Sequence, residues 1–167
     1  TVGSDASVCS MCTAGYSGTS SGGTSGCALC DAATPYTEAG NGQTCVALSC
    51  SLVPASGWLV VPAAVTAIGY QAFYGCSVLT SLSFESGSEL ETIGQYAFRS
   101  TGLTSIIVPA SVTTIGYGAF YLCYDLTSLS FESGSELETI GDYAFYSTGL
   151  TSIIVPASVT TIGDYAF

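Results

Sequence analysis

The chain has 167 residues, 48% of them apolar, and sets twelve carboxylates against one basic residue, Arg99, with no histidine and a formal net charge of −11. Such a surface repels phosphate backbones, because the counterion release that drives nucleic-acid binding needs Lys and Arg; nucleic acid is excluded as a partner and anionic membranes are disfavoured. No apolar run approaches the roughly 20 residues of a membrane span, and without His or Lys most general-base and Schiff-base chemistry has no candidate residue.

Residues 1–50 hold six of the eight cysteines, Cys9, Cys12, Cys27, Cys30, Cys45 and Cys50, with Cys9, Cys27 and Cys45 spaced 18 apart. Between them run Gly, Ser, Thr and Ala. That offers too little apolar surface to offset a backbone entropy of about 1–2 kcal/mol per ordered residue. A covalent or metallic staple is therefore required. The C-x2-C-x14-C-x2-C spacing also suits a zinc ribbon of four thiolates. The base-free, hydroxyl-rich surroundings and the two further cysteines in phase favour disulfides, with no metal and no cofactor. Closing a loop of about 15 residues is worth on the order of 3 kcal/mol, and six cysteines allow 15 connectivities. The residues Cys9-x2-Cys12-x2-Gly15-Tyr16, loosely repeated as Cys27-x2-Cys30-x5-Tyr36, resemble the ephrin-receptor-like and TNF-receptor-like cysteine-rich modules. That resemblance implies an extracellular, disulfide-rich module over residues 1–50.

Residues 51–58 form a linker, in which Pro54, Ser56 and Gly57 break any regular element. From 59 to 167 the phrase I-G-x-x-A-F occurs five times, starting at Ile68, Ile93, Ile115, Ile140 and Ile162. A second phrase, L-x-x-L/I-x-V/F, is phased with it: Leu103 to Val108 in one form, Leu126 to Phe131 in the other. Residues Pro62–Val108 and Pro109–Val155 are two copies of a 47-residue unit, identical at 39 positions. Each copy holds two shorter repeats, and about 4.5 repeats fit before the chain breaks off in mid-repeat. A period of this size marks a repeat solenoid of the leucine-rich kind. The second phrase reads as a short parallel strand, with Leu103, Ile106 and Val108 inward and their neighbours outward. The I-G-x-x-A-F phrase reads as a tight turn at Gly, then one helical or 3₁₀ turn on the convex side that drops Ala119 and Phe120 into the core. One repeat cannot bury its apolar face alone, so stability comes from stacking.

Pro109-Ala-Ser-Val-Thr-Thr-Ile-Gly-x-x-Ala-Phe120, followed by x-x-Cys123-x-x-Leu126-Thr-Ser-Leu129, resembles the BspA-like leucine-rich repeat. The resemblance covers residues 59–167, and the Asn ladder of ordinary leucine-rich repeats is missing. It implies a non-enzymatic secreted or cell-surface protein used in adhesion, with a protein or glycan partner on another cell or matrix. The rival expectation is a structural wall or matrix component with no specific ligand. Further repeats are expected beyond Phe167. No signal peptide or anchor stands between Thr1 and Phe167.

The outward strand columns supply the candidate partner-binding residues: Trp58, Ser83, Glu85, Ile107, Ser130, Glu132 and Ile154. Exposed Ile107 and Ile154 beside small hydroxyls make a flat surface with apolar spots. Glu85 and Glu132, two rungs apart at roughly 9–10 Å, come near the carboxylate spacing of inverting glycosidases. They read instead as duplicated surface carboxylates favouring a partner with Lys or Arg. The turns Glu85–Glu91 and Glu132–Glu138 match no calcium motif and read as solvated acidic loops. Eleven tyrosines cluster around the I-G-x-x-A-F phrase and read mainly as convex-side packing. Cys76 and Cys123, equivalent positions two rungs apart, are expected as free thiols, since a disulfide needs Cα atoms within about 7 Å.

Overall fold

The alternation Ser-Leu-Ser-Phe and Ser-Ile-Ile-Val can bury only every second side chain, and the fold uses it that way once per repeat. The computed structural model describes residues 8–9, 16–19, 38–39 and 43–167. The first described strands, β1 (Val8–Cys9), β2 (Tyr16–Thr19), β3 (Glu38–Ala39) and β4 (Gln43–Ala47), form an antiparallel sheet in the order β1-β2-β4-β3. A 3₁₀ turn at Cys50–Leu52 leads into the repeats. Strands of four and of two residues alternate as far as β12, and a further two-residue strand follows: β5 (Trp58–Val61), β6 (Ala67–Ile68), β7 (Ser81–Phe84), β8 (Thr92–Ile93), β9 (Ser105–Val108), β10 (Thr114–Ile115), β11 (Ser128–Phe131), β12 (Thr139–Ile140) and β13 (Thr161–Ile162).

The longer strands stack in a parallel sheet, β11-β9-β7-β5, and the shorter ones in a second, β13-β12-β10-β8-β6. This is a parallel-strand solenoid, and the inward positions are those the alternation assigns. Ile106, Val108, Val112, Ile115, Ala119, Phe120 and Leu126 are all buried. Through the centre runs a stack of five phenylalanines, Phe73, Phe98, Phe120, Phe145 and Phe167, with ring centroids 5.1–5.5 Å apart.

The I-G-x-x-A-F phrase forms neither an α nor a 3₁₀ helix. Alternate N–H groups close turns within the rung, as from Tyr74 to the Gln71 carbonyl, while those between reach the next rung, as from Phe73 to the Ala97 carbonyl at 2.8 Å. This sharing goes with left-handed residues at two positions of the turn: Gln71, Tyr96, Gly118, Tyr143 and Tyr165 have φ of 54–56°, and four residues on Gly75, Ser100, Leu122 and Ser147 have φ of 56–69°. A helix would keep every N–H inside the rung and leave the rungs unbonded along this side.

Threonine supplies the cross-rung ladder that asparagine does not. The hydroxyls of Thr80, Thr104 and Thr127 each donate to a carbonyl of the preceding rung, those of Gly57, Thr80 and Thr104, at 3.3–3.4 Å. Thr113 and Thr160 do the same to Glu91 and Glu138.

Two cysteine expectations are corrected: Cys76 is not a free thiol and Cys50 is not paired within residues 1–50, because the two are bonded to each other, with Cα atoms 5.5 Å apart. Comparing Cys76 only with its repeat equivalent leaves out a partner from outside the repeats, and the 3₁₀ turn carries Cys50 to the first rung. The side chains of Cys9, Cys12, Cys27, Cys30 and Cys45 lie outside what the structure describes, as does the pairing expected among them. Cys123 is a buried free thiol that donates to the Phe98 carbonyl at 2.9 Å. The Cys50–Cys76 bridge spans 26 residues, a loop whose closure is worth about 3.5 kcal/mol in the chain-entropy model. Cys50→Ser with Cys76→Ser should therefore lower denaturant stability by about 2–4 kcal/mol. Mass mapping of an unreduced digest should show the linked pair, with Cys123 alkylated only after denaturation.

Candidate functional site

The strand face is assembled by register. Trp58 pairs with Ser81 and Val60 with Ser83, while Ser105 pairs with Ser128 and Ile107 with Ser130. Between the two pairs of strands, β7 and β9 share one bridged position, Ser81 with Ser105. The face is therefore a run of serine hydroxyls with apolar side chains set among them. Trp58 is 58% exposed, Val60 43%, Ile107 59% and Ile154 89%. Trp58 Nε1 donates to Ser83 Oγ at 3.3 Å, which lays the indole along the sheet. Val60 belongs with these residues: the same alternation turns it outward, and its exposure adds it to the candidate set.

The two carboxylates have a structural task that charge alone does not reveal. Glu85 Oε2 accepts the Ala63 N–H at 3.0 Å, and Glu132 Oε2 accepts the Ala110 N–H at 3.0 Å. Each fastens its strand to the turn after the preceding strand, so the 47-residue unit is a bonded pair of rungs. The prolines that alternate with these glutamates along the column are not outward: Pro109 is buried and Pro62 and Pro156 are half-buried. Among the described residues no three carboxylate or cysteine groups gather closely enough to hold a metal ion.

Ile154 stands apart from the other candidates. Residues 152–155 repeat the Ser-Ile-Ile-Val of β9, yet they form no strand and leave the outer edge of β11 unpaired. Between them lies a groove of about 630 Å³, lined by Ser130, Phe131, Glu132, Ile154, Pro156 and Ser158. Ser111 Oγ sits 2.8–2.9 Å from the Ser88 and Leu90 carbonyls. Its repeat equivalent, Ser158 Oγ, is buried without a partner. The last rung is thus seated less closely than the earlier ones.

A second surface, the turn face, carries the tyrosines. Tyr96, Tyr117, Tyr143 and Tyr165 form a continuous ladder with centroids 5.2–5.6 Å apart. Tyr121 and Tyr146 stack beside it at 5.4 Å. Gly118 takes the left-handed position that holds Tyr on three other rungs, and a Cβ there would meet the Tyr96 ring at 2.6 Å. The ring is supplied by the preceding residue, Tyr117, so the ladder is not interrupted.

Partial burial raises the Tyr96 phenol above its ordinary value of 10.0, helped by its contact with Tyr117, and raises Tyr143, helped by Tyr165. Burial likewise pushes the Cys123 thiol above its ordinary value of 9.0, against the opposing hydrogen bond to Thr101. All three groups hold their protons more tightly folded than unfolded, so the stability they contribute is intact well below their ordinary values and is lost as the pH rises from those values through the raised folded ones. Melting temperature should be level from pH 7 to 8.5 and fall above pH 9–10; a rise there would contradict these assignments.

Comparison with known proteins agrees with this architecture. The family described as BspA type leucine rich repeat region matches residues 56–167 in six copies. Among solved structures, the pneumococcal vaccine antigen PcpA is 34% identical over 66% of this chain and 27% of that one, with a TM-score of 0.65. A leucine rich cell surface protein from Faecalibacterium prausnitzii A2-165 is 26% identical over 74% of this chain and 41% of that one, with a TM-score of 0.48. No curated protein matches the chain. The chain spans less than half the length of either solved structure. With its five-phenylalanine stack and paired rungs, the chain belongs to the BspA-type leucine-rich-repeat family.

Proposed function

We propose that the chain is a secreted or cell-surface recognition protein, non-enzymatic, that binds a protein or glycan partner through its strand face. The observation that carries this reading is the exposure of Trp58, Val60 and Ile107 on a paired sheet of serine hydroxyls, with Ile154 exposed beside it on the unpaired last rung. Isolated apolar side chains on a surface need no explanation, but a series recurring along one sheet face marks an interface. Ser83 and Ser130 supply hydroxyls between them. Glu85 and Glu132 each keep a second carboxylate oxygen for Lys or Arg of the partner. Membership of the family and the likeness to PcpA, described as a vaccine antigen, support a surface role. The Cys50–Cys76 bridge fits an oxidising compartment.

Ile107→Asp with Ile154→Asp tests the proposal. Both side chains are exposed, so the variant should fold with the wild-type circular dichroism. Its affinity for whichever cell or matrix extract the wild type recognises should fall at least tenfold. Unchanged binding by the folded variant would remove the strand face as the site.

A further inference from the structure

The turn face of the first three rungs carries a single charge, and it is positive. Residues 69–77, 94–102 and 116–124, three successive turns, hold one charged side chain among them, Arg99, in a chain of net charge −11. The acids of the turns, Asp142 and Asp164, come on later rungs. In the repeat register Arg99 occupies the position that Tyr74, Tyr121 and Tyr146 fill on other rungs. Its guanidinium lies over the rings of Tyr74, Tyr96 and Tyr121, at 5.1, 5.2 and 5.1 Å from their centroids. Stacking on the rings holds the group in place without neutralising it. The side chain is part-exposed, and of its three nitrogens only Nε is buried without an acceptor. Nη1 and Nη2 make no hydrogen bond among the described residues and are left for a ligand.

The rung that carries Arg99 is bonded to a neighbour on each side. The Gln95 carbonyl accepts the Gln71 N–H at 3.0 Å, and the Tyr96 N–H donates to the Tyr117 carbonyl at 2.9 Å. Gln95 and Tyr117 are exposed all the same, so the openness belongs to the face and not to an end of the solenoid. Tyr96 joins the parts, its ring 5.2 Å from the Arg99 guanidinium and 5.2 Å from the Tyr117 ring. We propose that this part of the turn face is a second binding site, one that takes a carboxylated sugar, a uronic or sialic acid unit of a glycan. A guanidinium with both terminal nitrogens free pairs with a carboxylate in bidentate fashion. Tyrosine hydroxyls and the Gln95 amide donate and accept, as sugar hydroxyls require, and the Tyr117 ring offers an apolar face to sugar C–H groups. One cation suits one carboxylate. An acidic peptide or a sulfated chain brings several anions, which the remaining negative charge repels. The site is separate from the strand face and does not rest on that proposal.

The test titrates the full chain by NMR with methyl glucuronide and methyl glucoside, which differ only in the carboxylate. The methyl glycoside of N-acetylneuraminic acid and a tetraglutamate peptide are run in parallel. One or both carboxylated sugars should bind at least about tenfold more tightly than methyl glucoside, the scale of a hydrogen bond to a charged group. Arg99→Tyr should abolish that preference. This variant restores the residue that three other rungs hold at the position, so it should keep the wild-type circular dichroism. Arg99→Lys, which keeps the charge but not the planar fork, should weaken carboxylated-sugar binding severalfold. Gln95→Ala spares the cation and the aromatic packing, and it should weaken both sugars. Ile107→Asp with Ile154→Asp should have no effect, so failure of the strand-face reading is separable from failure of this one. Equal affinity for glucuronide and glucoside, binding of neither carboxylated sugar, or a preference that survives Arg99→Tyr would each overturn the proposal. Tighter binding of tetraglutamate than of either carboxylated sugar would overturn it in favour of an acidic peptide.

Discussion

Phe120→Ala should destabilise the chain by about 3–5 kcal/mol, the range for emptying a buried phenylalanine site. Phe120 is fully buried and lies between Phe98 and Phe145, with centroids 5.1 and 5.3 Å away. Its neighbours cannot close in on the cavity, because the rung spacing is fixed by backbone bonds from Phe98 to Ala119 and from Phe120 to Ala144, both 2.8 Å. In a solenoid each rung is stabilised by contact with the next, so the loss should be felt in the rungs on both sides. Denaturant unfolding followed by circular dichroism should show the midpoint falling sharply. A cost below about 1 kcal/mol would mean that the phenylalanine stack is not what couples the rungs.

Gly141→Ala is expected to cost about 3 kcal/mol, near the upper end for overpacking, although Gly141 does not have the left-handed backbone that would itself exclude alanine. A Cβ there would lie 2.8 Å from both Gly116 C and Tyr117 N, and main-chain atoms cannot turn aside. Gly94 and Gly116 meet the preceding rung in the same way. The first glycine of the series gives the matched control: a Cβ on Gly69 would have nothing within 4 Å. Gly69→Ala should be neutral or slightly stabilising, by up to about 1 kcal/mol through the unfolded chain. Thermal melts of the two variants separate close stacking from turn geometry as the reason for glycine. Equal losses would favour the turn.

The same comparison shows what the sequence discloses and what it withholds. Ile106, Val108, Val112 and Ile115 are readable as core because period-2 alternation and the 47-residue repeat act on each residue alone. The glycine after each isoleucine is readable as obligatory, but its reason lies in the backbone of another rung, 22 or 25 residues away. Glu132 announces a charge, and only the fold shows that one of its oxygens closes on Ala110. The threonine hydroxyls that replace an Asn ladder look like ordinary strand-end residues until the rungs are in register. Cys76 misleads because the repeat supplies an obvious comparison, Cys123, while its actual partner lies in the chain before the repeats. Residues 152–155 make the point most directly. The same four letters form β9 where a strand lies on each side, and form no strand in the last rung.

Backbone amide mapping by NMR tests the proposed recognition on the strand face without altering any residue. At 16.9 kDa the chain is small enough for complete amide spectra. With the partner isolated by binding to the wild-type chain, shifts should concentrate in Trp58–Val61, Ser105–Val108 and Ser128–Phe131. Shifts absent from those strands and confined to the turns and the edge sheet of β6, β8, β10, β12 and β13 would contradict it.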